Sequence, residues 1–166
     1  MSKILISGYY GFANAGDEAM LTAIIESLRQ VEKNVELTVL SGNPEDTAAK
    51  HQVCSVYRFN PLGIIRAMKD SQLIISGGGS LLQDVTSKRS LLYYLSIIGL
   101  GKFFGKKVML FAQGIGPIRA KWARKLTSLV CNEADLITVR DSESAAELIE
   151  TVSYTHLRAH ETAANL

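Results

Sequence analysis

The sequence has little that would tie it to a membrane, a nucleic acid or an oxidising compartment. Its longest apolar stretch, Leu91 to Leu100, falls short of the roughly 20 residues that span a bilayer. Ser2-Lys3 leads straight into a short apolar run, so no signal-peptide pattern is visible. A net charge of +2 is too small to argue for nucleic acid or an anionic membrane surface. Only two cysteines occur, Cys54 and Cys131, both in apolar contexts; this predicts two buried thiols and a reduced, cytosolic chain. No His/Cys cluster has metal-ligand spacing, and His51 stands isolated in the sequence, reading as an ordinary surface residue. Two nucleotide signatures are also missing. Gly101-Lys102 is followed by Phe103 rather than a hydroxyl residue, which excludes a P-loop. The first glycine loop is not G-x-G-x-x-G, and the second apolar run ends in Leu40-Ser41 with no acid to hold a ribose, which argues against a dinucleotide cofactor. There is neither an internal repeat nor a low-complexity linker.

What is present is an alternation. In 166 residues that are 47% hydrophobic and 20% charged, ordinary globular usage for about one domain, short apolar runs alternate with amphipathic stretches. Strands are predicted at Lys3–Ser7, Val35–Leu40, Val53–Val56, Leu73–Ser76, Lys107–Ala112 and Asp135–Val139. The first helix carries Met20, Ala23, Ile24, Ser27, Leu28 and Val31 on one face. Its N-terminus is predicted at Asp17 or the residue before it, with Asp17 and Glu18 suiting the first turn. Shorter helices follow at Glu45–Lys50 and Leu62–Lys69. A long one from about Lys88 to Phe104 is apolar nearly all round and is therefore buried on more than one side or awaits a partner domain. Two more begin near Trp122 and Ser142. Strands that read as continuous apolar runs are covered on both faces. The fold class is therefore α/β, a doubly wound, mainly parallel sheet of Rossmann-like type.

Four glycine-rich or polar patches follow four of the strands: Gly8–Asp17, Gly77–Asp84, Gln113–Pro117 and Arg140–Ser144. A parallel sheet brings all four to its carboxyl edge, where open α/β sheets bind ligands, and this predicts one composite pocket. In the first patch, unpaired amides at a helix start favour an anion. Asp17, the candidate catalytic group, either accepts from a hydroxyl or acts as a base. The substrate-binding candidates are Gly11, Asn14, Gly16, Gly77, Gly78, Gly79, Asp84, Gln113 and Arg140. Several keep a purely structural alternative. The triple glycine either lets backbone approach a ligand or allows close strand–helix packing. Asp84 either binds a hydroxyl or caps a turn. Arg140, read as the only guanidinium directly at a strand end, either grips carboxylate or phosphate or pairs with Asp141 or Glu143. Tyr9, Tyr10 and Phe12 read as packing residues more readily than as sugar platforms.

The segment Gly8-Tyr9-Tyr10-Gly11-Phe12-Ala13-Asn14-Ala15-Gly16-Asp17-Glu18 resembles the opening G-x-x-G-x-x-N-x-G-D-E signature of polysaccharide pyruvyl transferases. Ile74–Asp84, Gln113–Pro117 and Val139–Ser144 resemble that family's next three blocks, in order. The resemblance covers about residues 3 to 150 and is closest to the bacterial CsaB type, which pyruvylates a secondary cell-wall polysaccharide so that S-layer proteins can dock. It implies the N-terminal half of a two-domain, glycosyltransferase-B-like enzyme. Such an enzyme moves a pyruvyl (carboxyethylidene) group from phosphoenolpyruvate to two hydroxyls of a sugar, often N-acetylmannosamine, as a 4,6-ketal. Phosphoenolpyruvate is the donor substrate, and no cofactor is implied. The resemblance also implies cytoplasmic work, at the inner membrane face where the acceptor is lipid-linked. It places Asp17 on the acceptor side and Arg140 at a donor-binding position, and assigns a histidine and further basic groups to a second domain.

The strand–helix alternation stops after about Val152. Residues 153–166 read as a tail foreign to the fold; Tyr154–Thr162 resembles the peptide produced when sequencing-adapter DNA is translated. The expected organisation is a Rossmann-like domain over residues 1–152, a non-native tail that holds His156 and His160, and a missing C-terminal domain. Such a chain is expected to be inactive alone and prone to self-association through the face its partner domain would cover. Two other readings are a nucleotide-sugar glycosyltransferase-like domain and a sugar- or anion-binding half-domain without turnover.

Overall fold

A computed structural model of the chain describes residues 2–152. The tail reading, with His156 and His160, lies outside these residues. The elements run β1 (Lys3–Tyr10), α1 (Ala15–Val31), β2 (Glu36–Ser41), α2 (Pro44–His51), β3 (Cys54–Tyr57), α3 (Pro61–Asp70), β4 (Leu73–Leu82), α4 (Lys88–Phe103), β5 (Lys107–Ile115), α5 (Lys121–Asn132), β6 (Leu136–Val139) and α6 (Ser142–Thr151). The strands form one sheet of order β3-β2-β1-β4-β5-β6, and every pairing is parallel. Strand order therefore reverses between β1 and β4.

The period of two along β1 builds two cores. Ile4 and Ile6 pack with Leu21, Ile24 and Ile25 of α1. Leu5, between them, joins Ile64 and Met68 of α3, Leu91, Leu95 and Ile98 of α4, and Ile74 and Val108 of the sheet. Burying each such side chain contributes about 1.5–3 kcal/mol, so the sheet is held from both faces. α4, whose sequence is apolar nearly all round, buries Leu91, Tyr94, Leu95, Ile97 and Ile98 while leaving Leu92, Leu100 and Phe103 exposed.

Several boundaries differ from those expected. β4 does not stop at Ser76 but continues through the triple glycine to Leu82, paired with β5 through Gly77↔Phe111 and Gly79↔Gln113. A Cβ at Gly77 would collide with the Phe111 carbonyl, so only glycine lets the ladder continue there. The N-cap of α1 is Asn14, whose Oδ1 accepts from the Gly16 N–H at 3.1 Å, rather than Asp17 or Gly16. α6 starts at Ser142 as expected, with Asp141 as its N-cap. Cys54 is exposed on the edge strand β3, and Cys131 alone is buried. His51 is not isolated: its Nε2 lies 3.4 Å from Glu18 Oε2.

Candidate functional site

The turn after β1 and the connection after β4 flank the reversal of strand order, where doubly wound sheets hold ligands. Between them lies a cavity of about 560 Å³, lined by Tyr9, Asn14, Asp17, Ser80, Ser87 and Tyr94 among others. Its walls carry hydroxyls, an amide and a carboxylate, a chemistry suited to a polyhydroxylated ligand.

Asp17 sits in the first turn of α1, half-buried, and its carboxylate accepts no hydrogen bond among the described residues. Burial first, and the neighbouring Glu18 charge second, raise its pKa above the ordinary carboxylate value. A raised carboxylate is a better proton acceptor near neutrality. Glu18 turns the other way: its Oε1 accepts the Gly11 N–H at 2.8 Å and its Oε2 faces His51. Gly11, at φ +78°, and Gly16 thus shape the turn that carries Asn14 and Asp17. Gly77, Gly78 and Gly79 serve close packing. Tyr10 Oη donates to the Gly77 carbonyl at 2.7 Å. A side chain at Gly78 would crowd Met20 and Tyr10, and a Cβ at Gly79 would stand 2.9 Å from Asp17 Oδ1. The glycine run therefore lets the first turn of α1 lie directly on β4 and sets the height of Asp17 above the sheet.

The other candidates fall on the far side of β4. Asp84 is buried, and its two oxygens accept the Arg119 and Ala120 N–H groups at 2.9 and 2.8 Å, which lowers its pKa. It caps the turn into α5, where Ala120 offers no side-chain cap of its own, which is the capping alternative. Gln113 does not face an open pocket: it is fully buried, with Nε2 donating to the Gly79 and Gly114 carbonyls. Arg140 is exposed and its Nε donates to Asp141 Oδ2 at 3.0 Å, the pairing alternative, while its terminal nitrogens have no partner among the described residues. It borders a second cavity of about 350 Å³ with Gly116, Pro117, Ser144 and Glu147. Ser80 lines both cavities. The single composite pocket expected is thus two cavities that share a wall.

Two residues of the first cavity's surroundings escaped the sequence reading. Tyr94, on α4, lines it. Arg58 directly follows β3, so Arg140 is not the only guanidinium at a strand end; Arg58 is 4% exposed and ringed by aromatic side chains. The signal available was its place between Tyr57 and Phe59, at the end of an apolar run.

Among the described residues no group of three or more His, Cys, Asp or Glu could hold a metal ion, and no helix is long and apolar enough to cross a membrane.

Residues 14–162 match the family model described as polysaccharide pyruvyl transferase. No curated protein matches the chain. Among solved structures, the fold is similar to that of a Listeria monocytogenes protein assigned as UDP-N-acetylglucosamine 2-epimerase. The TM-score is 0.50 at 12% identity, over 90% of this chain and 43% of that one. At such identity the likeness bears on the fold alone, and the chain spans less than half of that relative.

Proposed function

The chain belongs to the polysaccharide pyruvyl transferase family, and on that premise we propose that it forms the acceptor-side half of an enzyme that makes a pyruvyl ketal from phosphoenolpyruvate and a cell-wall polysaccharide sugar. The observation that carries this reading is Asp17: a half-buried carboxylate with no hydrogen-bond partner among the described residues, set in a hydroxyl- and amide-lined cavity at the reversal of strand order. In the proposed reaction the enol methylene of phosphoenolpyruvate takes a proton, which leaves an oxocarbenium-like carbon. A sugar hydroxyl adds to that carbon as Asp17 takes its proton. The C–O bond to phosphate then breaks, and the second hydroxyl closes the ring as its proton passes to the departing phosphate. One diol and one phosphoenolpyruvate thus give one ketal and one inorganic phosphate. Asn14 orients the sugar, and the unpaired nitrogens of Arg140 meet the donor's anionic groups from the neighbouring cavity. The general acid and the remaining cations belong, in this reading, to a second half-domain. The chain alone binds the acceptor without turning it over, at the cytoplasmic membrane face where that acceptor is lipid-linked. The sequence blocks favour the CsaB type.

The test is phosphate release from phosphoenolpyruvate with an N-acetylmannosamine acceptor, on the chain alone and on the chain joined to the second half-domain of a family member. Release with ketal formation in the joined protein only, lost in Asp17→Asn, supports the reading. Release that needs a nucleotide-sugar, or ketal formation undiminished in Asp17→Asn, sinks it.

A further inference from the structure

Arg58 is a buried cation without an acid. Its residue is 4% exposed, no carboxylate lies within ion-pair distance among the described residues, and Nε and Nη1 are buried with no hydrogen-bond partner. Nη2 approaches Tyr94 Oη at 3.5 Å, the outer limit of a hydrogen bond. What surrounds the guanidinium is aromatic: its carbon lies 4.3 Å from the Tyr93 ring centroid, 5.2 Å from those of Phe12 and Phe59, 5.5 Å from Tyr94 and 5.9 Å from Tyr9. Cation–π attraction offsets part of the desolvation of the charge. It leaves Nε and Nη1 unanswered and Nη2 with only the long Tyr94 contact, and unanswered donors on a buried charge are strongly disfavoured.

Two features say where an answer can come from. Tyr9 and Tyr94 belong both to this cage and to the wall of the Asp17 cavity. The outer cover is the stacked pair Tyr9–Phe12, with centroids 4.4 Å apart at 14° and both rings about two-fifths exposed. Phe12 lies between Gly11 and Ala13, both at positive φ, on the turn that lines the cavity. Arg58 and the cavity thus share the Tyr9 and Tyr94 rings. A guanidinium only donates, and its fork matches two oxygens of one planar or tetrahedral anion.

We propose that Arg58 is an oxyanion receptor completed by its ligand, its guanidinium gripping a carboxylate or phosphate group through an unpartnered nitrogen, Nε or Nη1, together with the weakly held Nη2, once the Tyr9–Phe12 pair turns aside. The inference deepens the transferase reading by adding a donor- or acceptor-anion contact on this half of the enzyme, but the binding claim stands apart from turnover.

The test is thermal unfolding of the full chain against pyruvate, inorganic phosphate, phosphoenolpyruvate and a sugar diphosphate, for wild type, Arg58→Met and Arg58→Lys. These probes separate a carboxylate, a free phosphate, the donor and an acceptor's diphosphate. In wild type at least one anion raises the midpoint in a saturable way. Arg58→Met weakens that response about tenfold or more, and Arg58→Lys, which keeps the charge but not the fork, weakens it less. Without anion, Arg58→Met melts no lower than wild type, because an unpaired buried charge has been replaced by an apolar chain. If Arg58→Met does not fold, Arg58→Lys carries the comparison. Equal responses in wild type and the variants, or no response in wild type, overturn the proposal. An anion response that depends on Arg58, together with no ketal in the joined enzyme, keeps it and removes the transferase reading. Ketal formation with an anion response indifferent to Arg58 does the reverse.

Discussion

Asp17 and Asp84 stand on either side of the same strand, β4, and the fold treats them in opposite ways. Asp84 has each oxygen filled by a backbone N–H, and those bonds hold its pKa down. Around it the chain is equally closed: Ile115 N–H donates to Ser144 Oγ at 3.0 Å, Arg124 pairs with Glu147 at 2.7 Å, and Asp141 caps α6. Asp17 has no such partner, and burial holds its pKa up. Nearby, Arg58 is buried without an acid while Arg140, across β4, is exposed and paired. The far side answers most of its polar groups from within the fold, Gln113 Oε1 being an exception, whereas the Asp17 and Arg58 side leaves its charged groups unmet. An unmet buried group is a stability cost that a fold retains when a ligand answers it.

The sharpest way to break this contrast is to neutralise each aspartate. In the joined enzyme, Asp17→Asn is expected to lower kcat by about 10²–10⁴-fold, the range for loss of a general base, with the melting temperature unchanged or raised. Asp84→Ala is expected to do the opposite, destabilising by about 1–3 kcal/mol because two buried N–H groups lose their acceptors, while acceptor affinity per folded molecule holds. Denaturant unfolding and steady-state kinetics on both variants decide. A large stability loss from Asp17→Asn, or a binding loss from Asp84→Ala without one in stability, would erase the distinction.

Acid titration separates the two sides next. Asp84 has a lowered folded pKa, so its contribution is complete above the ordinary carboxylate value of 3.8 and is lost as pH falls through the folded value. Asp135 behaves alike at the other end of the sheet. Burial raises its pKa, but the Lys102 ammonium, the Val108 N–H and the Lys107 ammonium outweigh it and bring the value to about 2. Its contribution therefore disappears between about pH 4 and pH 2. Asp17, raised, works with the reverse sign: its contribution is present below the ordinary value and lost as pH rises through the folded value. Asp17→Asn should flatten the stability curve above pH 4, whereas Asp135→Asn should flatten it below pH 4. Stability measured against pH by denaturant midpoints checks both slopes.

The sequence carried the frame of this contrast but not its sides. Apolar runs and amphipathic periods were enough for the order of strands and helices, because burial on both faces writes itself into the central strands. The β1–α1 turn was legible for the same reason: glycines and acids at a helix start have few other uses. Asp84 and Gln113 were not, since whether a polar residue meets a ligand or a backbone N–H depends on chain 30 or so residues away, as with Arg119 for Asp84. The triple glycine misled because it has the composition of a loop, yet Tyr10, Met20 and Phe111 require its lack of side chains within a strand. Arg58 was invisible because its cage is drawn from the β1–α1 turn, the β3–α3 turn and α4, which only the tertiary fold brings together.

The smallest expected effect asks whether the closed side is held by geometry or by charge. Asp141 Oδ1 accepts the Ser144 N–H at 2.8 Å, and Oδ2 accepts from Arg140 Nε at 3.0 Å. The first of these bonds is an N-cap, a role in which asparagine performs about as well as aspartate. The second is a half-exposed ion pair, of a kind worth about 0–1 kcal/mol. Asp141→Asn should therefore destabilise by less than about 1 kcal/mol, with most of the loss disappearing at high salt as the ion-pair share is screened. Asp141→Ala, which removes the cap as well, should cost about 1 kcal/mol more at every salt concentration. Midpoints of both variants at low and high salt decide. If Asp141→Asn matches Asp141→Ala, charge rather than hydrogen-bond geometry closes this side. The freedom of Arg140 would then be set by its neighbour's ionisation, and the two sides of β4 would differ in degree rather than in kind.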